Sequence, residues 1–260
     1  MVTGGVDIGA SATKAALLDR RGRLLGSAVL RSGVDFAASA DKALQAALAE
    51  AELTADEVGP IFACGYGRGN AAIAQATRTE IACHAAGAYH YFPQALTVVD
   101  IGGQDNKIIK VAADGARTSF KMNRKCAAGT GAFLEEMALR LDLPLEALNG
   151  LAAGAAQEAS LGSYCTVFTA TEVLAKIRAG VAVAALVKGL FRSVVKRVLE
   201  MDTLEGTVVM TGGVVAHNPH LAVMLAQEAG REVHLPPHPQ LTGAIGAALL
   251  ARKSLEQYAA

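Results

Sequence analysis

Val6-Asp7-Ile8-Gly9-Ala10-Ser11-Ala12-Thr13-Lys14, near the start of the chain, and Val99-Asp100-Ile101-Gly102-Gly103-Gln104-Asp105, a third of the way along it, follow one pattern. In each, an apolar run ends on an aspartate and breaks into a glycine turn, as a buried strand does when it enters a tight loop. The copies stand 93 residues apart, and at the same offset Lys14 matches Lys107. Each lysine opens a second apolar run, which reaches a turn at Asp19 to Gly22 in one copy and at Asp114-Gly115 in the other. A duplicated strand-turn-strand unit is the simplest account.

Outward from the first copy, residues 35–53 carry Ala and Leu at helical spacing, and residues 59–65 read as a buried strand. Helices are expected near 68–75 and 84–92. After the second copy, helices are expected near 130–141, 143–153, 171–179 and 183–202. A strand at 206–211 then runs into Gly212-Gly213, and helices near 219–228 and 243–255 close the chain. Strand groups alternating with helices predict an α/β fold with covered sheets, in two related halves, 1–94 and 95–242. No Pro-rich linker separates them, so the boundary rests on the repeat, and a cleft between the halves is the expected ligand site.

An aspartate at a strand end beside glycine N–H groups that converge on an anion needs a cation between carboxylate and anion. Asp7 and Asp100 are therefore candidates to hold the hydration shell of Mg²⁺, while Gly9 to Thr13 and Gly102 to Gln104 cradle phosphates. Ser11 and Thr13 add hydroxyls and Lys14 a charge. A single Asp-x-Gly turn reads equally well as a tight hairpin. Two copies, with Thr211-Gly212-Gly213 as a third glycine turn suited to an adenosine, favour the nucleotide. No G-x-x-x-x-G-K-[ST] stretch occurs, which excludes a P-loop enzyme.

The 260 residues carry 24 Lys+Arg against 24 Asp+Glu, so no basic stripe is available for nucleic acid or an anionic membrane. No apolar run reaches the ~18 residues of a membrane span. Asp7 interrupts the first apolar run, unlike a signal peptide, and a cytoplasmic location is expected. The four cysteines, 64, 83, 126 and 165, form no Cys-x-x-Cys pair, which argues against disulfides and zinc. Cys126 lies in a small-residue loop before a helix that Thr130 could cap, and Cys165 lies among small and hydroxyl residues. Either is ordinarily a small buried hydrophobe. As iron ligands they would supply half of a four-thiolate set, which a two-fold dimer would complete.

VDIGASATK, VDIGGQD, TGGVVAHN and TGAIGAAL, in that order, resemble the first phosphate, second phosphate, adenosine and second connecting-helix motifs of the actin, hexokinase and Hsp70-like ATPases. NRKCAAGTGAFLE, SYCTVF, ACHAAGA and PPHPQLTGAIGAAL narrow this further. Over nearly its whole length the chain resembles the ATPase activators of 2-hydroxyacyl-CoA dehydratases, a family shared with the ATP-binding subunits of benzoyl-CoA reductase.

The resemblance implies two duplicated actin-like, ribonuclease H-like halves with a nucleotide cleft between them, and a C-terminal helix at about 243–260 packed back on the first half. It implies a homodimer with one [4Fe-4S] cluster between subunits, reduced by ferredoxin or flavodoxin, that uses ATP hydrolysis and Mg²⁺ to pass one electron to an iron–sulfur dehydratase or reductase. Cys126 and Cys165 match the cluster ligands. Asp7, Asp100, Gln104 and Asp105 match catalytic positions. Gly9, Ala10, Ser11, Thr13, Lys14, Gly102, Gly103, Gly129, Gly131, Gly212, Gly213 and Asn218 match nucleotide-binding ones. Arg124 and Lys125 could steer an acidic electron donor.

Ala10 departs from the family pattern, which has Ser there. Cys64 and Cys83 read as packing residues and His84 as a helix contact, and no chemistry is assigned to His217, His234 and His238. Two rivals remain: a small-molecule kinase of the same fold with Asp100 as base, which leaves the Cys126 loop unexplained, and an actin-like interaction module.

Overall fold

The computed structural model describes residues 1–123, 125–162 and 165–258; Arg124, and Ser163 and Tyr164 of the second cysteine motif, lie outside them. The chain divides into two compact units. One comprises Met1–Val98, Ile109–Ser119 and Pro236–Ala260, the other Val99–Ile108 and Phe120–Leu235.

Strands β1 (Val2–Ile8), β2 (Ala12–Leu18) and β3 (Leu24–Arg31) precede α1 (Phe36–Ala51), β4 (Val58–Cys64), β5 (Ala76–Thr77) and α2 (Glu80–Tyr91). The next strands are β6 (Leu96–Ile101), β7 (Asn106–Val111) and β8 (Arg117–Asn123). Four helices follow, α3 (Gly131–Arg140), α4 (Ala147–Gly154), α5 (Thr166–Arg178) and α6 (Val183–Met201). Then come β9 (Thr207–Thr211), α7 (Gly213–His217), α8 (His220–Ala229), β10 (Val233–His234) and α9 (Thr242–Tyr258). One sheet has the order β3-β2-β1-β4-β5 and the other β8-β7-β6-β9-β10. Counted along the chain, the two orders are the same, so the duplication extends through both sheets.

In the first unit β2 shows why the sheet is covered on both faces. Ala15 and Leu17 pack with Val6, Ile8 and the α1 residues Ala40, Ala43, Leu44, Ala47 and Leu48. Ala16 and Leu18 point the other way, onto Ala244, Ile245, Ala248 and Leu249 of α9, the two-residue period of a strand. Asp35 starts α1, its carboxylate accepting from Ala38 N at 3.0 Å. In the second unit Phe133, Leu186, Leu190, Phe191 and Val194 centre the core between α3, α6 and β6.

Helices α2 and α9 touch backbone to backbone. A Cβ on Gly246 would stand 1.8 Å from Cys83 O, and one on Gly87 would stand 2.2 Å from Thr242 O. Neither oxygen can yield without moving a helix, so Gly246→Ala should cost about 3 kcal/mol, read from urea denaturation.

Residues 68–75 are not the expected helix. A single 3-10 turn, Arg68–Asn70, leads into β5. Tertiary contacts override the local pattern: Gln75 N donates to Ile61 O at 2.9 Å, Gln75 Oε1 accepts from Ile61 N at 2.6 Å, and Gly67 and Gly69 weaken helix propensity. Helix α5 begins at Thr166 rather than near 171, and the short α7 was not anticipated. Among the described residues no helix is long and apolar enough to cross a membrane.

Candidate functional site

Asp7 is the penultimate residue of β1, with Lys14 of β2 opposite it in the antiparallel register. Lys14 Nζ meets Asp7 Oδ2 at 3.1 Å. The turn between them closes through Gly9 N donating to Ala12 O at 3.0 Å. A side chain at Gly9 would strike that same oxygen at 2.8 Å. Ala10 and Ser11 are exposed at the tip. The Thr13 hydroxyl is turned inward, 2.8 Å from Ser32 Oγ, which donates to Gly9 O at 2.6 Å. Thr13 thus braces the turn from behind.

The second copy repeats this geometry. Lys107 Nζ lies 3.1 Å from Asp100 Oδ2 and 2.7 Å from Asp105 Oδ1, and Gly102 N donates to Asp105 O at 2.9 Å. Gln104 is exposed at the tip. Thr211, at the end of β9, donates from Oγ1 to Asp100 Oδ1 at 3.0 Å. Lys107 and Asp100 are both 3% exposed at the side chain, so one buried ammonium faces two carboxylates. Lys107→Met should therefore destabilise the fold by about 3–5 kcal/mol, because it leaves buried carboxylate charge without its cation; urea denaturation measures it.

A third correspondence was hidden in the sequence. Gly65, after β4, has φ +88°, and a Cβ there would meet Asp7 Oδ1 at 2.4 Å and Ile8 O at 2.6 Å. Gly212, after β9, has φ +99°, and a Cβ there would meet Asp100 Oδ1 at 2.8 Å and Ile101 O at 2.3 Å. Each aspartate is thus seated against a left-handed glycine from the fourth strand of its own sheet, where a side chain would displace it. Gly243 is a further neighbour missed in the sequence: its Cβ position lies 3.0 Å from both Asp7 Oδ2 and His84 Nε2. His84 of α2 thus packs against α9 at Gly243, the same glycine that approaches the carboxylate.

Gly213 opens α7, and Asn218 ends it, donating from both N and Nδ2 to Val214 O. Asn218 Oδ1 is buried with no hydrogen-bond partner among the described residues. A surface pocket of about 670 Å³ lies against Ala222, Val223 and Ala226 of α8 and is lined by none of the expected site residues.

The cysteines divide sharply. Cys64 and Cys83 are fully buried, and none of the four is in a disulfide. A hydrogen bond with Cys83, followed by burial, pushes the Cys64 thiol well above the usual thiol range, so this pair is inert packing. Cys126 is half-buried and Cys165 exposed. Cys165 stands at the N-cap of α5, where its carbonyl accepts from Thr169 N at 2.8 Å. The Cys126 carbonyl accepts from Asn123 Nδ2 at 3.3 Å. Thr130 precedes α3 as expected but does not cap it by its side chain; its hydroxyl donates back to Ala127 O at 2.6 Å. Gly129 is buried at φ +79° in this loop, and Gly131 starts α3. Lys125 is exposed. Among the described residues no three His, Cys, Asp or Glu side chains form a metal site.

Residues 5–251 match the model of the BadF/BadG/BcrA/BcrD ATPase family. The activator of lactoyl-CoA dehydratase from Anaerotignum propionicum is 38% identical over 260 residues, covering 99% of this chain and 100% of that one. Two solved structures superpose closely. The activator of the 2-hydroxyisocaproyl-CoA dehydratase from Clostridium difficile with bound ADPNP has a TM-score of 0.93 at 34% identity, covering 100% of this chain and 97% of that one. Component A of the (R)-2-hydroxyglutaryl-CoA dehydratase from Acidaminococcus fermentans has a TM-score of 0.94 at 35% identity, covering 98% and 99%.

Proposed function

Because the chain belongs to the BadF/BadG/BcrA/BcrD ATPase family, we propose that it is an ATP-hydrolysing activator that passes single electrons to an iron–sulfur 2-hydroxyacyl-CoA dehydratase. One observation supports this above all. The chain pairs two Asp–Lys glycine loops of matching geometry with two surface cysteines, while its other two cysteines are sealed in the core.

The roles follow from the chemistry of each group. Asp7 and Asp100 would orient the waters of Mg²⁺, and with the Gly9 and Gly102 amides spent on closing their turns, the N–H groups of residues 10–11 and 103–104 would donate to phosphate oxygens. Lys14 and Lys107 fix the carboxylate rotamers and offset their charge. Gln104, exposed at its tip, orients the attacking water, with Asp105 held by Lys107 beside it. Gly212, Gly213 and Asn218 receive the adenosine, and the buried Asn218 Oδ1 is a ready acceptor for a ligand N–H or O–H.

Cys126 and Cys165 fit an iron–sulfur cluster as half of its ligand set: two accessible thiols of a soft donor type, one at the N-cap of a helix whose first N–H groups favour negative charge. Such a cluster, when bound, accepts and releases one electron. Two thiolates per chain require a second copy to reach four. The exposed apolar residues of α5, Val167 and Phe168 next to Cys165 and Leu174 and Ile177 further along the helix, are the kind of surface a second copy covers. The reductant class is ferredoxin or flavodoxin, whose acidic surface the exposed Lys125 suits.

The test is iron and acid-labile sulfide per chain, native mass, and ATP hydrolysis with and without reductant, on protein purified without oxygen. About two irons and two sulfides per chain in a dimer are expected. Colourless protein that takes up no iron on reconstitution and phosphorylates a small alcohol would sink the reading in favour of a kinase.

A further inference from the structure

The loop that carries Cys126 is fastened to the second phosphate loop, and both lie in one unit. The amides of Gly131 and Ala132 donate to the carbonyls of Gly102 and Gly103 at 2.9 and 2.8 Å. The approach is close enough that a Cβ on Gly131 would stand 3.0 Å from Gly103 Cα. One side chain adds a third tie: Asn106 Nδ2 donates to Gly129 O at 2.9 Å. Asn106 is fully buried and directly follows Asp105. On the cysteine side, Thr130 N and Oγ1 both donate to Ala127 O, so residues 127–130 form a closed turn directly after Cys126.

The same place holds two unsatisfied groups. Asn106 Oδ1 and Arg197 Nε are each buried with no hydrogen-bond partner among the described residues. Both side chains flank one glycine: the Cβ position of Gly129 lies 3.3 Å from Asn106 Nδ2 and 2.9 Å from Arg197 Cβ and Cγ. A buried acceptor and a buried donor, each carrying a desolvation cost, are relieved together when Arg197 Nε donates to Asn106 Oδ1. An exchange of that kind would supply the second arrangement a two-state element needs.

We propose that Asn106 is the positioning residue through which nucleotide at Gly102 and Gly103 sets the placement of Cys126. This rests on the ATPase reading above, but it needs neither iron nor a partner enzyme to be tested. A shift of residues 102–106 pulls on the Gly129 carbonyl, and the closed turn carries the motion to the thiol.

The experiment measures iodoacetamide alkylation of each cysteine, by peptide mass spectrometry, in the reduced full-length protein held with an iron chelator and either ADP or ADPNP. In the unmodified protein the Cys126 rate should differ about fivefold or more between the two nucleotides, with Cys64 and Cys83 unreactive in both. In Asn106→Ala the two Cys126 rates should converge to within about twofold, while ADPNP affinity by calorimetry stays within about threefold. Asn106→Asp, equal in size but lacking the donor, should converge likewise and serves if the alanine variant does not fold. Equal Cys126 rates in the unmodified protein with ADPNP bound would overturn the proposal and leave the ATPase reading standing. Nucleotide dependence that persists in both variants would remove Asn106 from the link. Convergence accompanied by reaction of Cys64 and Cys83 would make Asn106 a structural prop and overturn the proposal as well. If ADPNP does not bind the unmodified protein, the ATPase reading itself fails.

Discussion

If the proposed cluster assignment holds, Cys126→Ser should give colourless protein without bound iron, yet with its nucleotide affinity intact. The loss is complete rather than partial because each chain offers two accessible thiols, and removing one from both copies of a dimer leaves two ligands where an iron–sulfur cubane takes four. A serine hydroxyl does not replace a thiolate, since it stays protonated at neutral pH. The fold should tolerate the change. Cys126 is half-buried, and its loop is held by backbone and by Asn123, Thr130 and Asn106, none of them through the sulfur. Iron content, visible absorption and calorimetric nucleotide binding check the three parts separately. Full iron content in the variant would remove Cys126 from the ligand set, and Cys165→Ser should behave in the same way.

Asp100→Asn is expected to do the reverse: ATP hydrolysis falls on the order of 100-fold or more while iron content stays at its original level. The substitution preserves shape. Thr211 can still donate to an oxygen at that position, and Lys107 keeps Asp105 at 2.7 Å. What goes is the negative charge that orients the waters of the metal. Steady-state hydrolysis at saturating Mg²⁺-ATP measures the loss, and a turnover equal to that of the unmodified protein would take Asp100 out of the chemistry. The same variant separates the two readings of this carboxylate. A metal-organising aspartate loses activity that high Mg²⁺ partly restores, whereas a base for a substrate hydroxyl does not.

The repeat was legible because the strand-turn-strand units have equal lengths, which keeps Asp7 and Asp100, and Lys14 and Lys107, at one offset of 93 residues. Beyond β3 and β8 the register breaks. The second half carries α3, α4, α5 and α6 between its third and fourth strands, where the first carries α1 alone. Gly65 and Gly212 therefore occupy equivalent places with no common offset, and only the sheet order reveals them. Gly243 of α9 meets both Asp7 and His84 of α2, across most of the first unit's sequence, and no local pattern marks such a meeting. The fate of Thr13 and Thr130 was equally hidden. A hydroxyl in a loop announces a donor or a cap, but which oxygen it finds depends on Ser32 in one case and on Ala127 in the other. Cys126 and Cys165 stood out through motif resemblance alone, since hydropathy treats them like the buried pair.

The contribution of α9 to the first unit bears on how the chain is made. Strands β1 and β2 are made more than 200 residues before Ala244, Ile245, Ala248 and Leu249, which cover one face of β2. The stretch Phe120–Leu235, with Val99–Ile108, is by then fully synthesised. Vectorial synthesis therefore lets the second unit finish first, while the first waits with an apolar sheet face open to chaperones or to aggregation. A stop codon ahead of α9 would therefore disable strands made more than 200 residues earlier.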